Sequence, residues 1–315
     1  MNVYICSDLE GAACVFSRRE GYLNASEYGS MELIAVCEAL LRGGVSGILI
    51  NCFHILEYDK FPKQVSFFHS EPTHDFFTPC MEQGFDVAMV TGMHAMAGGK
   101  EQGCWRHTIS PHPISNAYSS IAEVRLNGIP VGETALFAMF AGRYGVPVVY
   151  VSGEHWACEE AKELLPGVNT CAVKRGHSYF SAKSLHPAHA AQLSANAAVS
   201  ALDNPGGVNP YRPSVPLELS VAFLHPHRAA DAVGAISKAE RVDETTVRAV
   251  YNDVRELADN IGCLRAEENA LYRADTGFPG GTTGFLTRYG PEPYKPVAGF
   301  QAGEQIDFAA ANWGK

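Results

Sequence analysis

The chain has 315 residues, 46% hydrophobic and 18% charged, a composition that excludes disorder and suffices for one large core plus a smaller second unit. A net charge of −10 and a pI near 5.6 exclude a nucleic-acid backbone or an anionic membrane as partner, because both require a basic surface. Met1-Asn2-Val3 runs straight into a strand without a basic, apolar leader, and no apolar run approaches bilayer-spanning length, so a cytoplasmic protein is expected.

Val3-Tyr4-Ile5-Cys6 reads as an apolar strand, and Asp8 and Glu10 follow it on one side of the extended chain. Two such carboxylates repel each other and lose hydration unless a cation or water compensates them; a metal site is one reading and a solvated turn the other. Asn24-Ala25-Ser26-Glu27 has the form of a capping box, predicting an amphipathic helix through Met31, Leu33, Ile34, Cys37, Leu40 and Leu41 that stops at Gly43-Gly44. Ser46 to Asn51 and Asp86 to Gly92 read as buried strands. Residues 121–132 alternate around Asn127-Gly128, a strong hairpin signal, before a helix from about Glu133 to Arg143 and a strand over Val146 to Ser152. Strands alternating with helices predict an α/β fold with a mainly parallel sheet flanked by helices, whose ligands gather at strand carboxyl ends. The Pro- and Gly-rich segment 203–216 marks a boundary between a metal-binding α/β catalytic domain (1–204) and a smaller α+β domain (205–275), with 276–315 as a C-terminal extension. The smaller domain is expected to hold a strand from Leu217 to Leu224, a helix from about Arg228 to Ser237 and a longer helix from about Glu244 to Gly262.

Nine cysteines (6, 14, 37, 52, 80, 104, 158, 171 and 263) are scattered without a C-x-x-C pair, which fits free, buried thiols better than disulfides or a thiolate zinc site. A metal here would therefore take oxygen and nitrogen ligands. The residues closing the predicted strands supply them: Asp8 and Glu10, His54 after the second strand, His94 after the third, and Glu133 opening the helix after the hairpin, with His107 in Trp105-Arg106-His107-Thr108. Three carboxylates and two imidazoles suit two zinc-like ions with one carboxylate bridging, a centre fitted to amide hydrolysis.

Asp8-Leu9-Glu10-Gly11, Asn51-Cys52-Phe53-His54, Gly92-Met93-His94-Ala95, Arg106-His107-Thr108, the run from Asn127 to Glu133 and the stretch from Val149 to Pro187 together, in this order over about residues 1–260, resemble the D-aminopeptidase family of zinc peptidases. The resemblance implies a dinuclear zinc centre (manganese or cobalt as substitutes) held by Asp8, Glu10, His54, His94 and Glu133, with Asp8 bridging and His107 catalytic. It also implies a ring-shaped homo-oligomer, a decamer by family resemblance, whose sites open on a central channel and admit short peptides or small amides. The sequence departs from the family at Cys52 and Phe53, at Arg106 and at Ala12-Ala13-Cys14, changes that bear on the substrate pocket rather than on the metal ligands.

Several other features carry less. Gly98-Gly99-Lys100-Glu101 lacks the spacing of a phosphate loop, and the glycine-rich run 277–284 neither follows a strand nor opens a helix. His225-Pro226-His227 reads as a loop, and His186 and His189 as the solvated face of a helix. A thiol nucleophile at Cys52 or Cys104 would need a low thiol pKa. The readings that stand are a dizinc aminopeptidase releasing an N-terminal residue, a metal-dependent amidase acting on a specialised amide or lactam, and a non-catalytic oligomeric binding protein. In the first, Glu10 or Glu133 could share the role of base.

Overall fold

The strand following Met1 is buried on both faces: Tyr4 and Cys6 pack into one apolar layer, Val3 and Ile5 into another. Such two-sided burial of a β-branched and aromatic run belongs to a central parallel strand covered by helices on each side. The computed structural model describes residues 1–16, 18–54, 56–68, 76–109, 121–203 and 205–261. All of them lie within one compact unit that ends before residue 269.

In chain order the elements are β1 (Asn2–Ser7), α1 (Arg18–Arg42), β2 (Gly47–Cys52), β3 (Val65–Phe68), β4 (Val87–Met93), β5 (Ile121–Leu126), β6 (Ile129–Pro130), α2 (Glu133–Arg143), β7 (Val148–Glu154), α3 (His155–Leu164), β8 (Asn169–Ser178), β9 (Ser181–Ser184), α4 (Pro187–Ser200), β10 (Leu217–Phe223), α5 (Pro226–Ala235), β11 (Glu240–Arg241), β12 (Thr246–Tyr251) and α6 (Val254–Ile261). The larger sheet runs β3-β2-β1-β4-β7-β8-β9, parallel throughout except for the β8–β9 hairpin. From β1 the chain passes to β2 on one side, while β4 lies on the other and leads towards β7. The β1/β4 boundary is therefore the topological switch point, where strand ends diverge and leave a crevice. On one face α1 and α4 bury Leu33, Val36, Leu40, Ala190 and Ala198 against Val3 and Ile5. On the other, α2 and α3 pack against Tyr4, Cys6, Ala88 and Val90. The smaller sheet, β11-β12-β10-β5-β6, is antiparallel and joins the α2 layer through Val124, Leu126, Leu217 and Leu219. Helix α2 is buried at every position from Glu133 to Gly142, consistent with the continuous apolar run from Ala135 to Ala141.

The hairpin forms as expected, with Asn127 and Gly128 at φ 49° and 79°. Gly44, at φ 92°, ends α1, and the N–H of Val45 bonds back to Leu40. Three expectations change. Helix α1 begins at Arg18, so residues 24–27 continue a helix instead of capping one. The long helix expected over 244–262 is instead strand β12 followed by α6; Thr246 to Tyr251 alternates in burial, and this period of two overrides the helical reading. His225-Pro226-His227 is not a loop but the start of α5, with Pro226 in its first turn. The smaller sheet draws β5 and β6 from before the 203–216 segment and β10 to β12 from after it. No helix among the described residues is long and apolar enough to cross a membrane. Cys263, the run 277–284 and the extension 276–315 lie outside the described residues.

Two glycines let the ends of β1 and β4 meet. Gly92 sits at φ 67°, and a Cβ there would lie 2.0 Å from the carbonyl oxygen of Asp8. At Gly11 the corresponding clash is with Met93 O at 1.9 Å, while its N–H donates to Gly92 O at 2.7 Å. Gly92→Ala is therefore expected to cost at least about 2 kcal/mol, through backbone strain plus displacement of Asp8. Denaturant unfolding checks this; a variant as stable as the wild type contradicts it.

Candidate metal centre

Asp8, at the carboxyl end of β1, donates its backbone N–H to Thr91 O of β4 at 2.9 Å, and its Oδ1 accepts the N–H of Leu9 at 2.8 Å. These bonds fix the carboxylate across the strand switch. Its two oxygens face different imidazoles: Oδ1 lies 3.0 Å from His54 Nε2, and Oδ2 lies 3.2 Å from His94 Nε2. Glu10 Oε2 is 2.9 Å from His54 Nε2, and Glu133 Oε1 is 3.3 Å from His94 Nε2. Glu133, the first residue of α2, is at the positive end of that helix and accepts the N–H of Ile109 at 2.8 Å.

His107 completes the cluster. Its ring stacks on that of His94 with centroids 3.6 Å apart and planes 13° apart. Trp105 and Ile109 on either side adopt left-handed backbone (φ 57° and 58°), a strained arrangement for these bulky side chains. The bend turns the ring of His107 towards His94 and the Ile109 N–H towards Glu133. His94 Nδ1 is 2.9 Å from Ala95 O, and His107 Nδ1 is 2.8 Å from Trp105 O. A carbonyl can only accept, so each Nδ1 carries a proton, and a ring in its neutral form keeps its lone pair on Nε2.

Two sets of donor atoms gather within 4.8 Å of one another: Asp8, Glu10 and His54, and His94, His107 and Glu133. All six residues singled out from the sequence thus come together. The one shift from expectation is that His107 stands among the donor atoms of the second set. Buried Glu10 Oε2 and His94 Nε2 make no well-formed hydrogen bond among the described residues, although Glu10 Oε2 approaches His54 and His94 Nε2 approaches Asp8 and Glu133. Side chains that approach without hydrogen-bonding are aimed at a common point, and this oxygen and nitrogen donor set suits zinc, as it does manganese or cobalt.

The electrostatics agree. Burial opposes ionisation of Asp8, but hydrogen bonding with Glu10, His54 and His94 holds its carboxyl well below the usual range. Burial likewise opposes charge on Glu133, and His94, His107 and the Ile109 N–H bring it to about 2. Against burial, Glu10 and Asp8 push His54 up to about 10; Asp8 and Glu133 push His94 up as well. Burial and the neighbouring charge of His94 lower His107 to about 4, leaving it neutral at pH 7. Burial raises both Cys52 and Cys104, which removes the thiol-nucleophile reading. Phe53 packs edge-on against Phe76 and Phe77; Arg106 lies over the Tyr179 ring and donates to Glu101 O. His186 caps α4 at its exposed start, and His225 stacks on His227 at the exposed start of α5; neither pair joins the cluster.

Sequence reasoning missed Lys174 and Glu32, both buried beside the loop that follows Glu10. A lysine amid the apolar alternation of Cys171-Ala172-Val173 was the available signal.

Residues 1–262 match the family described as D-aminopeptidase (Peptidase_M55). The D-aminopeptidase of Bacillus subtilis (strain 168) is 28% identical over 269 residues, 81% of this chain and 93% of that relative. Among solved structures, the Zn-dependent D-aminopeptidase DppA from Bacillus subtilis, a self-compartmentalizing protease, aligns with a TM-score of 0.72 at 26% identity, covering 86% of this chain and 98% of that one.

For the ion-free protein these shifts set a stability optimum. His54, raised to about 10, contributes fully below 6.5 and loses its contribution as pH climbs through about 10. His107, lowered to about 4, contributes fully above 6.5 and loses its contribution on acidification through about 4. Chelator-stripped protein is thus expected to melt highest near pH 6.5. A melting temperature still rising at pH 9 contradicts the assignment.

Proposed function

We propose, from the premise that this chain belongs to the D-aminopeptidase family, that it is a zinc-dependent aminopeptidase releasing an N-terminal residue, a D-residue among its substrates, from short peptides or amides. The observation that carries the reading is the split carboxylate of Asp8, with one oxygen directed to the His54 side and the other to the His94 side. In this reading Asp8, Glu10 and His54 would hold one ion and Asp8, His94 and Glu133 the second, with Asp8 shared between the two. Zinc bound there supplies Lewis acidity for amide hydrolysis.

The remaining steps fall to the chain itself. Glu133 is kept ionised by its Ile109 N–H bond and by its place at the start of α2. The carbonyls of Ala95 and Trp105 fix the tautomers of His94 and His107, so that each presents Nε2. Neutral His107 is able to accept a proton at Nε2 and return it to the leaving amine, or to hydrogen-bond the developing tetrahedral centre. Burial of most of the cluster keeps it out of bulk solvent, which strengthens these interactions around the single water that hydrolysis consumes.

The name of the solved neighbour, a self-compartmentalizing protease, supports a homo-oligomer acting on peptides, and on the family resemblance we propose that it is a ring, a decamer. Light scattering is expected to give a mass several times that of the 34.0 kDa chain; a monomer overturns this part. The eight described cysteines form no disulfide with one another, which supports a cytoplasmic setting.

His107→Ala is expected to retain two ions per chain and to lose about 10²–10⁴-fold in turnover of D-alanyl peptides. Loss of one ion instead identifies His107 as a ligand. Asp8→Ala is expected to lose most bound metal, which mass spectrometry of the protein purified without chelator measures. Turnover of a D-alanyl dipeptide by the wild type is the direct test, and complete inactivity of zinc-loaded protein towards D-amino-terminal peptides and amides defeats the reading.

A further inference from the structure

Among the described residues one lysine is buried. Lys174 of β8 is 2% exposed, and its Nζ donates to the carbonyl oxygens of Glu10 and Val15, each at 2.5 Å. These acceptors bracket the segment that leaves β1. Between them, the N–H of Ala13 donates to Oε1 of buried Glu32 on α1 at 2.7 Å, and Ser194 of α4 donates to Glu32 Oε2 at 3.4 Å. Glu154, opposite Lys174 in the β7–β8 register, accepts the N–H groups of Gly176 and Trp156 at 2.7 and 2.8 Å. With Glu10 and Glu32 it supplies the negative charge around the ammonium.

A buried ammonium is costly, and an apolar side chain of similar volume would fill the space without that cost. The lysine therefore has a specific task, and its bonds show which. Glu133 is held directly, by the Ile109 N–H. Glu10 has no such backbone N–H bond given to its carboxylate among the described residues; its Oε2 meets the His54 imidazole at 2.9 Å, and where the two meet follows from the backbone placement of the Glu10 loop.

We propose that Lys174 is a positioning residue for the half of the metal centre formed by Asp8, Glu10 and His54, acting through the Glu10 and Val15 carbonyls while Glu32 steadies Ala13 between them. The proposal rests on the metal-centre reading above.

Its test is zinc binding by the full chain, stripped of metal and titrated against a competing chromophoric chelator. Wild type is expected to take up two ions. Lys174→Met is expected to weaken one of them about 10–100-fold, the scale for groups that orient a ligand from behind, and to leave the other unchanged. In a His54→Ala background, where the Glu10 half is already disabled, the same change should have no further effect; in a Glu133→Ala background it should weaken the remaining ion by the full factor. Lys174→Gln keeps N–H donors for the buried carbonyls and replaces the methionine variant if that one does not fold. A folded variant that binds both ions as wild type does, or loses affinity equally at both, overturns the proposal. Failure of both variants to fold also overturns it, marking the lysine as general support. A wild type that binds no zinc removes the metal-centre reading itself, and this proposal with it.

Discussion

Three carboxylates buried at one point cannot stand together without positive charge. At about 4 Å two unit charges repel by about 4 kcal/mol even at an effective dielectric near 20, and burial adds the loss of hydration. In the ion-free chain, imidazoles supply the compensation: His54 between Asp8 and Glu10, His94 between Asp8 and Glu133. The compensation is incomplete as hydrogen bonding, because Glu10 Oε2 and His94 Nε2 make no well-formed hydrogen bond among the described residues. The surrounding architecture serves this concentration of charge. Gly92 and Gly11 let the ends of β1 and β4 meet, α2 presents Glu133 from its amino end, and the strained turn around His107 closes the cluster.

Much of this was legible because it is local. The apolar run before Asp8, the Asn127-Gly128 turn and the helix opening at Glu133 each depend on a few consecutive residues, and the chemistry-bearing side chains sit where those runs end. The resemblance to a known family added the grouping of residues that lie far apart in sequence. What escaped had non-local or competing causes. The strand over Thr246 to Tyr251 escapes because Val250, an apolar residue on the exposed face, obscures an alternation that becomes plain only in burial. Helix α1 starts at Arg18 because a capping-box pattern does not by itself stop a helix that continues through it. Lys174 was invisible because its partners, Glu10 and Val15, are 164 and 159 residues away in the chain.

The two halves of the cluster are supported differently. Glu133 rests on a direct backbone bond and the end of a helix, whereas the Glu10 arm depends on a loop gripped by an ammonium from β8 and a carboxylate from α1. Phe53 and Arg106, which depart from the family pattern beside two of the cluster histidines, make their contacts with Phe76, Phe77, Tyr179 and Glu101, and the five proposed ligands remain together.

The proposed ligands are dispersed along the chain from Asp8 to Glu133, with Asp8 and Glu10 after β1, His54 after β2, His94 after β4 and Glu133 at the start of α2. Small zinc modules carry closely spaced ligands, and the ion can gather them while the polypeptide is still unstructured. Here β1, β2, β4 and α2 must already be packed before the donors face one another, and two apolar layers hold that packing in place. The packing of the chain, not the ion, is consequently what gathers the donors, and any ion that binds them afterwards adds its binding free energy to a fold already formed around the site.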